Sequence, residues 1–202
     1  MWNLFRNAIT TMKETPFANV LSALEDDARP FPPKYIGRFS DLSPSNLDSV
    51  MRVWPNLPLA RKHSLLKRMV ELFDDDTVMS FEALAARLLE DPDGQVRMYA
   101  LQLLAETGDT RLLPRLVQMV AEDPEPVCRA GAAALLGQFV EMGELEEISA
   151  GNLKRVTDCL LLAAADSDSS LARAALESLG YSSRNEVHAL IESALKRHDP
   201  RW

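Results

Sequence analysis

Three segments in the second half of the chain repeat one apolar pattern, and this repeat limits the fold more than any other feature. Each segment has apolar or small residues at offsets of zero, four and eight: Val96, Ala100, Leu104; Val127, Gly131, Leu135; and Leu171, Ala175, Leu179. Residues with this spacing lie on one face of an α-helix. The small residue at offset four lets two helix backbones approach closely. The pattern therefore predicts helices that pack tightly in pairs.

Acidic and proline-containing breaks separate the helical segments. Asp91–Gly94 precedes the first repeat segment, Asp123–Pro124 the second and Asp166–Asp168 the third. Asp caps a new helix and Pro cannot continue an old one, so each break predicts a turn. Gly108 predicts a left-handed cap at the end of the first segment. The acidic run Glu141–Glu147 lengthens the second spacing and predicts a solvated connector.

The fold predicted from this repeat is an α-solenoid. One helical hairpin cannot bury its apolar face alone, whereas stacked hairpins share a continuous core. The composition agrees, because 47% of the 202 residues are apolar while only 6% are aromatic and 8 are glycine. These values argue against a β-sandwich and against disorder. We expect an all-α fold: a right-handed α-α superhelix of stacked antiparallel helical hairpins.

The first 80 residues match the repeat loosely. Residues 1–42 predict an N-terminal helical cap followed by a Pro-rich extended connector over residues 25–40. Residues 43–79 predict a degenerate repeat that begins at Ser43-Pro44, an N-cap with proline at the first helical position. Residues 80–202 hold the regular repeats, and the last of these is incomplete.

The repeats resemble a known family. Asp91-Pro92-Asp93 followed by Val96-Arg97, Asp123 to Val127, and Asp168 followed by Leu171 to Gly180 are similar to the HEAT repeat, including its short bacterial, phycobilisome-lyase-like form. In that register Cys128 and Ala172 stand where the second and third repeats would have arginine. The resemblance therefore implies an Arg–Asp ladder between repeats that is intact only at Arg97.

The resemblance implies a non-catalytic scaffold that binds a protein partner through the concave face of the solenoid. The alternative is a HEAT-like DNA glycosylase or a protein related to the chromophore lyases. The formal net charge is −8, and residues 91–202 hold eleven basic and eighteen acidic residues. Because binding to phosphates depends on Lys and Arg, no nucleic-acid partner is expected. This charge also disfavours the glycosylase.

No catalytic or metal-binding pattern is present in the sequence. The three histidines are scattered, no Gly-rich phosphate loop occurs, and Cys128 and Cys159 lack the spacing of a zinc site. We expect no catalytic residues, no metal and no cofactor. The N-terminus lacks the features of a signal peptide, and no apolar stretch is long enough to cross a membrane. The expected location is the cytoplasm, with reduced cysteines.

The inner helices of the solenoid predict a binding strip. Positions two and six residues after the first core residue of each repeat face outward, and the strip comprises Met98, Gln102, Arg129, Ala133, Arg173 and Glu177. Arg129 and Arg173 are the expected charged anchors for a protein partner. The alternative is that these arginines pair with neighbouring acidic residues.

Both ends of the chain carry apolar stripes. Trp2, Phe5, Ile9 and Met12 share a helical face that covers the first repeat or, alternatively, contacts a membrane or a partner helix. At the other end, His198–Trp202 begins another Asp-Pro break. We therefore expect either a longer natural array or a last helix without its partner. An exposed apolar edge available for association then comprises Val187, Leu190, Ile191 and Leu195.

Overall fold

A computed structural model of the chain describes residues 16–75 and 78–196, and every regular element in that part of the chain is a helix. This confirms the all-α prediction. Within these two ranges ten α-helices follow one another: α1 Phe17–Glu25, α2 Pro44–Val53, α3 Leu59–Asp75, α4 Glu82–Leu88, α5 Gly94–Leu103, α6 Leu113–Glu122, α7 Pro126–Glu144, α8 Ala150–Ala163, α9 Ser169–Leu179 and α10 Asn185–Lys196. Short 3₁₀ helices lie at Pro33–Phe39, Trp54–Asn56 and Thr110–Leu112.

The chain divides into two compact units. Unit 1 comprises residues 1–91, and its described helices are α1 to α4. Unit 2 comprises residues 92–202 and contains α5 to α10. The apolar stripe Trp2, Phe5, Ile9 and Met12 and the segment His198–Trp202 lie outside the described residues.

Unit 1 begins with an aromatic cluster where the sequence predicted an extended connector. Residues Pro33–Phe39 form a 3₁₀ helix whose Ile36 and Phe39 are buried. The rings of Phe17 and Phe31 lie 6.2 Å and 6.0 Å from the ring of Phe39, both in edge-on geometry. The prediction of an extended connector over residues 25–40 is therefore wrong at Pro33–Phe39, whereas residues 26–32 form no helix. The prolines begin a helical turn here, and the aromatic side chains give that turn a core to pack on.

The predicted helix start at Ser43-Pro44 is confirmed. Ser43 caps α2 by accepting a hydrogen bond from the N–H of Asn46 at 3.3 Å, and Pro44 occupies the first helical position. A 3₁₀ turn at Trp54–Asn56 then leads into α3. Trp54 itself is buried. Two helices joined by this turn, α2 and α3, therefore occupy residues 44–75.

Unit 2 consists of two helical layers. Helices α5, α7 and α9 pack side by side, and we call these three the inner layer. Helices α6 and α8 pack against each other and against the inner layer, with α6 on α7 and α8 on both α7 and α9. Each helix of the inner layer thus alternates along the chain with one of the outer layer. This is the arrangement of stacked antiparallel hairpins in an α-solenoid.

The second repeat is shifted by one residue from the predicted register. Val127 is 51% exposed, whereas Cys128 is fully buried. Three buried residues then share each of the offsets zero, four and eight: Val96, Cys128, Leu171; Ala100, Ala132, Ala175; and Leu104, Leu136, Leu179. The small residue at offset four is confirmed as alanine in all three repeats, and Gly131 is not part of this core stripe.

Two local predictions near the helix ends are also corrected. The acidic run Glu141–Glu147 is mostly helical, because α7 continues to Glu144 and only the last three residues follow the helix. The longer spacing between the second and third repeats is therefore mostly additional helix. No glycine in the described ranges has a positive φ, so the left-handed cap at Gly108 is wrong.

Candidate partner-binding groove

An ion pair in the interior of unit 2 joins neighbouring repeats. Arg97 on α5 donates from Nε to Asp123 Oδ2 at 2.8 Å and from Nη2 to Asp123 Oδ1 at 2.7 Å. Both side chains are at most 5% exposed. Burial opposes the charge on Asp123, but hydrogen bonds from Arg97 and from the N–H of Glu125 outweigh it, so the pKa of Asp123 lies below its ordinary value. The carboxylate is therefore ionised and fully paired.

Arg129 forms the next contact of this kind. Its Nη2 lies 3.4 Å from Asp168 Oδ2, and its Nη1 donates to the main-chain oxygen of Asp123 at 3.0 Å. The prediction of a ladder intact only at Arg97 is therefore wrong. In the corrected register Arg129, and not Cys128, stands at the arginine position of the second repeat. In the third repeat that position is Ala172, as predicted.

Unit 1 contains an equivalent contact between Lys62 and Asp91. Lys62 Nζ lies 3.4 Å from Asp91 Oδ2, and Trp54 Nε1 donates to the same oxygen at 2.7 Å. Lys62 is the fourth residue of α3, just as Arg97 is the fourth residue of α5 and Arg129 the fourth of α7. We call these three cation–carboxylate pairs the ladder. The position of Lys62 supports the prediction that residues 43–79 are a degenerate repeat.

The inner layer carries a depression between α5 and α7. Its volume is about 270 Å³, and it is lined by Met98, Leu101, Gln102, Ala105, Gly131, Ala134, Leu135 and Gln138. No charged side chain lines it. We call it the apolar depression.

A second depression lies between α7 and α9. Its volume is about 390 Å³, and it is lined by Ala134, Gly137, Gln138, Glu141, Ala174, Glu177, Ser178 and Tyr181. We call it the acidic depression. It shares Ala134 and Gln138 with the apolar depression, so the two form one continuous groove across the three helices of the inner layer.

Small residues on α7 and α9 allow these helices to pack closely along the floor of the groove. A Cβ atom on Gly137 would lie 2.8 Å from Ser178 Oγ and 3.1 Å from Ser178 Cα. Ser178 Oγ donates to the main-chain oxygen of Ala133 at 2.9 Å, so even the buried hydroxyl is satisfied.

The structure brings three of the six strip residues into the groove. Met98 and Gln102 line the apolar depression, and Glu177 lines the acidic depression. Arg173 is exposed one turn before Glu177 on α9. Arg129 belongs to the ladder and is 23% exposed. Its role as a charged anchor stays a prediction, as does that of Arg173.

Sequence reasoning placed the α7 part of the strip one residue too early. Ala133, predicted to face outward, is fully buried, and Ala134 is exposed in its place. Gln138 and Glu141 follow Ala134 on the same face, and they were missed because they lie beyond the two offsets that defined the strip. The spacing of five residues from each Asp to the first core residue, as in Asp123 to Cys128, would have given the correct register.

The predicted apolar edge on α10 is only partly present. Val187 is fully buried, so it cannot belong to an exposed edge, and this part of the prediction is wrong. Two hydrogen bonds hold the turn that precedes Val187. The N–H of Ser183 donates to Glu144, and Arg184 Nη1 donates to Asp158 Oδ1 at 2.8 Å.

Two more residues of that predicted edge are only partly exposed. Leu190 and Ile191 are half-buried. Leu195 lies beyond the side chains that the structure describes.

Other types of site are not found in the described part of the chain. There, no three His, Cys, Asp or Glu side chains are grouped so that they could hold a metal ion. None of the described helices is long and apolar enough to cross a membrane. Cys128 and Cys159 are free thiols, and burial raises the pKa of both. Neither thiol is thereby activated as a nucleophile.

Comparison with models of known protein families gives a match. Residues 81–154 match the family model described as HEAT repeats. This segment runs from the start of α4 into α8 and contains the first two repeats of unit 2. The match confirms the HEAT resemblance, while the phycobilisome-lyase-like form stays a prediction. No curated protein matches the chain.

Proposed function

Because this protein carries HEAT repeats, we propose that it is a non-catalytic scaffold that binds a protein partner through the groove of the inner layer. One observation supports the proposal above all: the two depressions share Ala134 and Gln138 and so form a continuous surface across three successive helices. A partner lying in this groove contacts several repeats at once. HEAT repeats commonly act as scaffolds for protein interactions.

The charge of the groove favours a protein partner over a nucleic acid. Glu141 and Glu177 line one half of it, and no basic side chain lines either depression. A surface that binds phosphates needs Lys or Arg side chains instead. A cytoplasmic location fits the two free thiols, Cys128 and Cys159, because cysteines stay reduced in that compartment.

The proposal can be tested by filling the groove. Ala134 is an exposed residue of α7 shared by both depressions, so Ala134→Trp places a large side chain at their junction. The control is Ala121→Trp, the same change at an exposed position of α6 in the outer layer. Wild-type protein and both variants are used to capture partners from a lysate of the source organism, and the captured proteins are quantified by mass spectrometry.

We expect at least one protein to be captured by the wild type and by Ala121→Trp but depleted at least tenfold with Ala134→Trp. Circular dichroism checks that both variants are folded. Equal capture by all three proteins would contradict the proposal that the groove is the binding surface. Arg173→Glu, assayed in the same way, tests whether the exposed arginine beside Glu177 contributes an anchor.

A further inference from the structure

The two halves of the groove differ in chemistry, and this difference restricts what can bind. The apolar depression has Met98, Leu101 and Leu135 among its lining residues and no charged side chain. Burial of an apolar side chain against such walls is favourable, whereas burial of an unpaired charge there is costly. This half of the groove therefore suits an apolar side chain.

The acidic depression has the opposite preference. Glu141 on α7 and Glu177 on α9 line it from two sides, and the side chain of Tyr181 is beside them. Within the described residues neither glutamate forms an ion pair, and both are exposed. A Lys or Arg side chain placed between two such carboxylates gains charge-assisted hydrogen bonds to both. This half of the groove therefore suits a cation.

The distance between the two halves sets the spacing of these side chains in a ligand. Helices packed side by side are about 8–10 Å apart, so the depressions on either side of α7 are separated by about one such distance. In the polyproline II conformation residues i and i+3 point to the same side, about 9 Å apart. We infer that the groove binds an extended segment of a partner protein that carries an apolar residue and a Lys or Arg three positions apart.

This inference rests on the proposed function and adds the chemistry of the partner. Its probe is a displayed library of random dodecapeptides, selected on the full-length protein. Peptides that are enriched are synthesised, labelled with fluorescein and titrated with wild-type protein and variants by fluorescence polarisation. The variants are Ala134→Trp, the double change Glu141→Gln with Glu177→Gln, and a control that alters net charge equally, Glu122→Gln with Glu147→Gln.

We expect enriched peptides to contain a basic residue three positions from an apolar one. Their Kd should rise at least tenfold with Ala134→Trp and with the Glu141/Glu177 double variant, and less than twofold with the Glu122/Glu147 control. Changing the basic residue of the peptide to glutamate should weaken binding to the wild type by a similar factor.

Two other results overturn the inference in distinguishable ways. Peptides that lose binding to Ala134→Trp but carry no basic residue, or bind the Glu141/Glu177 double variant normally, refute the partner chemistry and leave the groove as the binding surface. A selection without enrichment, or peptides that bind Ala134→Trp as well as they bind wild type, refutes both this inference and its premise.

Discussion

Arg97 and Asp123 meet through two parallel hydrogen bonds in the interior of unit 2, although 26 residues separate them along the chain. Arg97 lies on α5, and Asp123 lies in the turn that precedes the next helix of the inner layer, α7. The pair therefore connects successive repeats and not the two helices of one hairpin. Arg97 Nη1 also donates to the main-chain oxygen of Pro92 at 3.1 Å, which fixes the guanidinium from its own side.

Removing one partner of this buried pair should be costly. Arg97→Met keeps most of the side-chain volume and leaves Asp123 buried without its counter-charge, so we expect a loss of about 3–5 kcal/mol in the free energy of unfolding. The control is Glu71→Ala, which breaks the exposed pair with Arg68 and should change stability by less than about 1 kcal/mol. Urea denaturation followed by circular dichroism measures both. Similar losses in the two variants would contradict a special role for the buried pair.

The same pair predicts a pH dependence. The pKa of Asp123 is depressed in the folded protein, so its contribution to stability is present above the ordinary aspartate pKa and is lost as the pH falls through the depressed value. In Arg97→Met, protonation of the buried Asp123 carboxylate stabilises the folded protein instead, because a neutral carboxyl group is less costly to bury than a charged one. We therefore expect the stability difference between wild type and Arg97→Met to narrow as the pH falls below about 5. Denaturation curves over a pH series measure this difference, and a constant gap would contradict the prediction.

Gly137 should not tolerate a side chain. A methyl group there would clash with the Cα atom and hydroxyl of Ser178 where α7 and α9 pack closely, so Gly137→Ala should destabilise the protein by about 1–3 kcal/mol. Gly151 is an exposed helical glycine on α8, and an added Cβ would lie 3.9 Å from Ser149 Oγ, an ordinary contact distance. Gly151→Ala should therefore be neutral or stabilising by up to about 1 kcal/mol. Thermal unfolding of the two variants compares them directly. The close-packing argument fails if Gly137→Ala is as stable as Gly151→Ala.

Cys128 should be chemically inert in the folded protein. Burial raises the pKa of its thiol to about 11, and Sγ donates to the main-chain oxygen of Gly94 at 3.2 Å. In a Cys159→Ser background, we expect no reaction of the remaining thiol with Ellman's reagent at about pH 8 until denaturant is added. One equivalent should then react at once. Rapid reaction of the native variant would show that Cys128 is more accessible than its burial implies.

The repeat could be predicted from the sequence because the first core residue is unambiguous in two of the three repeats. Val96 and Leu171 are the only large aliphatic residues at their breaks, so hydrophobicity alone assigns them to the core. At the second break Val127 competes with Cys128, and the more hydrophobic residue was the wrong choice. Proline at the first position of α7 turns Val127 towards solvent, and the smaller cysteine fills the interior.

Contacts between residues far apart in the sequence were harder to predict. Lys62 is an ordinary helical lysine in the sequence, and only packing against Trp54 and Asp91 reveals that it belongs to the ladder. The prediction of the groove was likewise incomplete. Met98, Gln102 and Glu177 follow from a correct register, whereas Ala134 on α7 required the shift by one residue. Gln138 and Glu141 lie beyond the two offsets that defined the strip.

The ladder has a consequence for how such a chain can be divided or lengthened. Its pairs span residues 62–91, 97–123 and 129–168, and these spans do not overlap. The short intervals between them, 92–96 and 124–128, each begin in an Asp-Pro turn. A cut inside a span separates a charged residue from its partner, whereas duplication or loss of the segment between the two joints keeps both members of each pair together. The joints are thus the places where gene shuffling can change the number of repeats while the electrostatics of each stay intact.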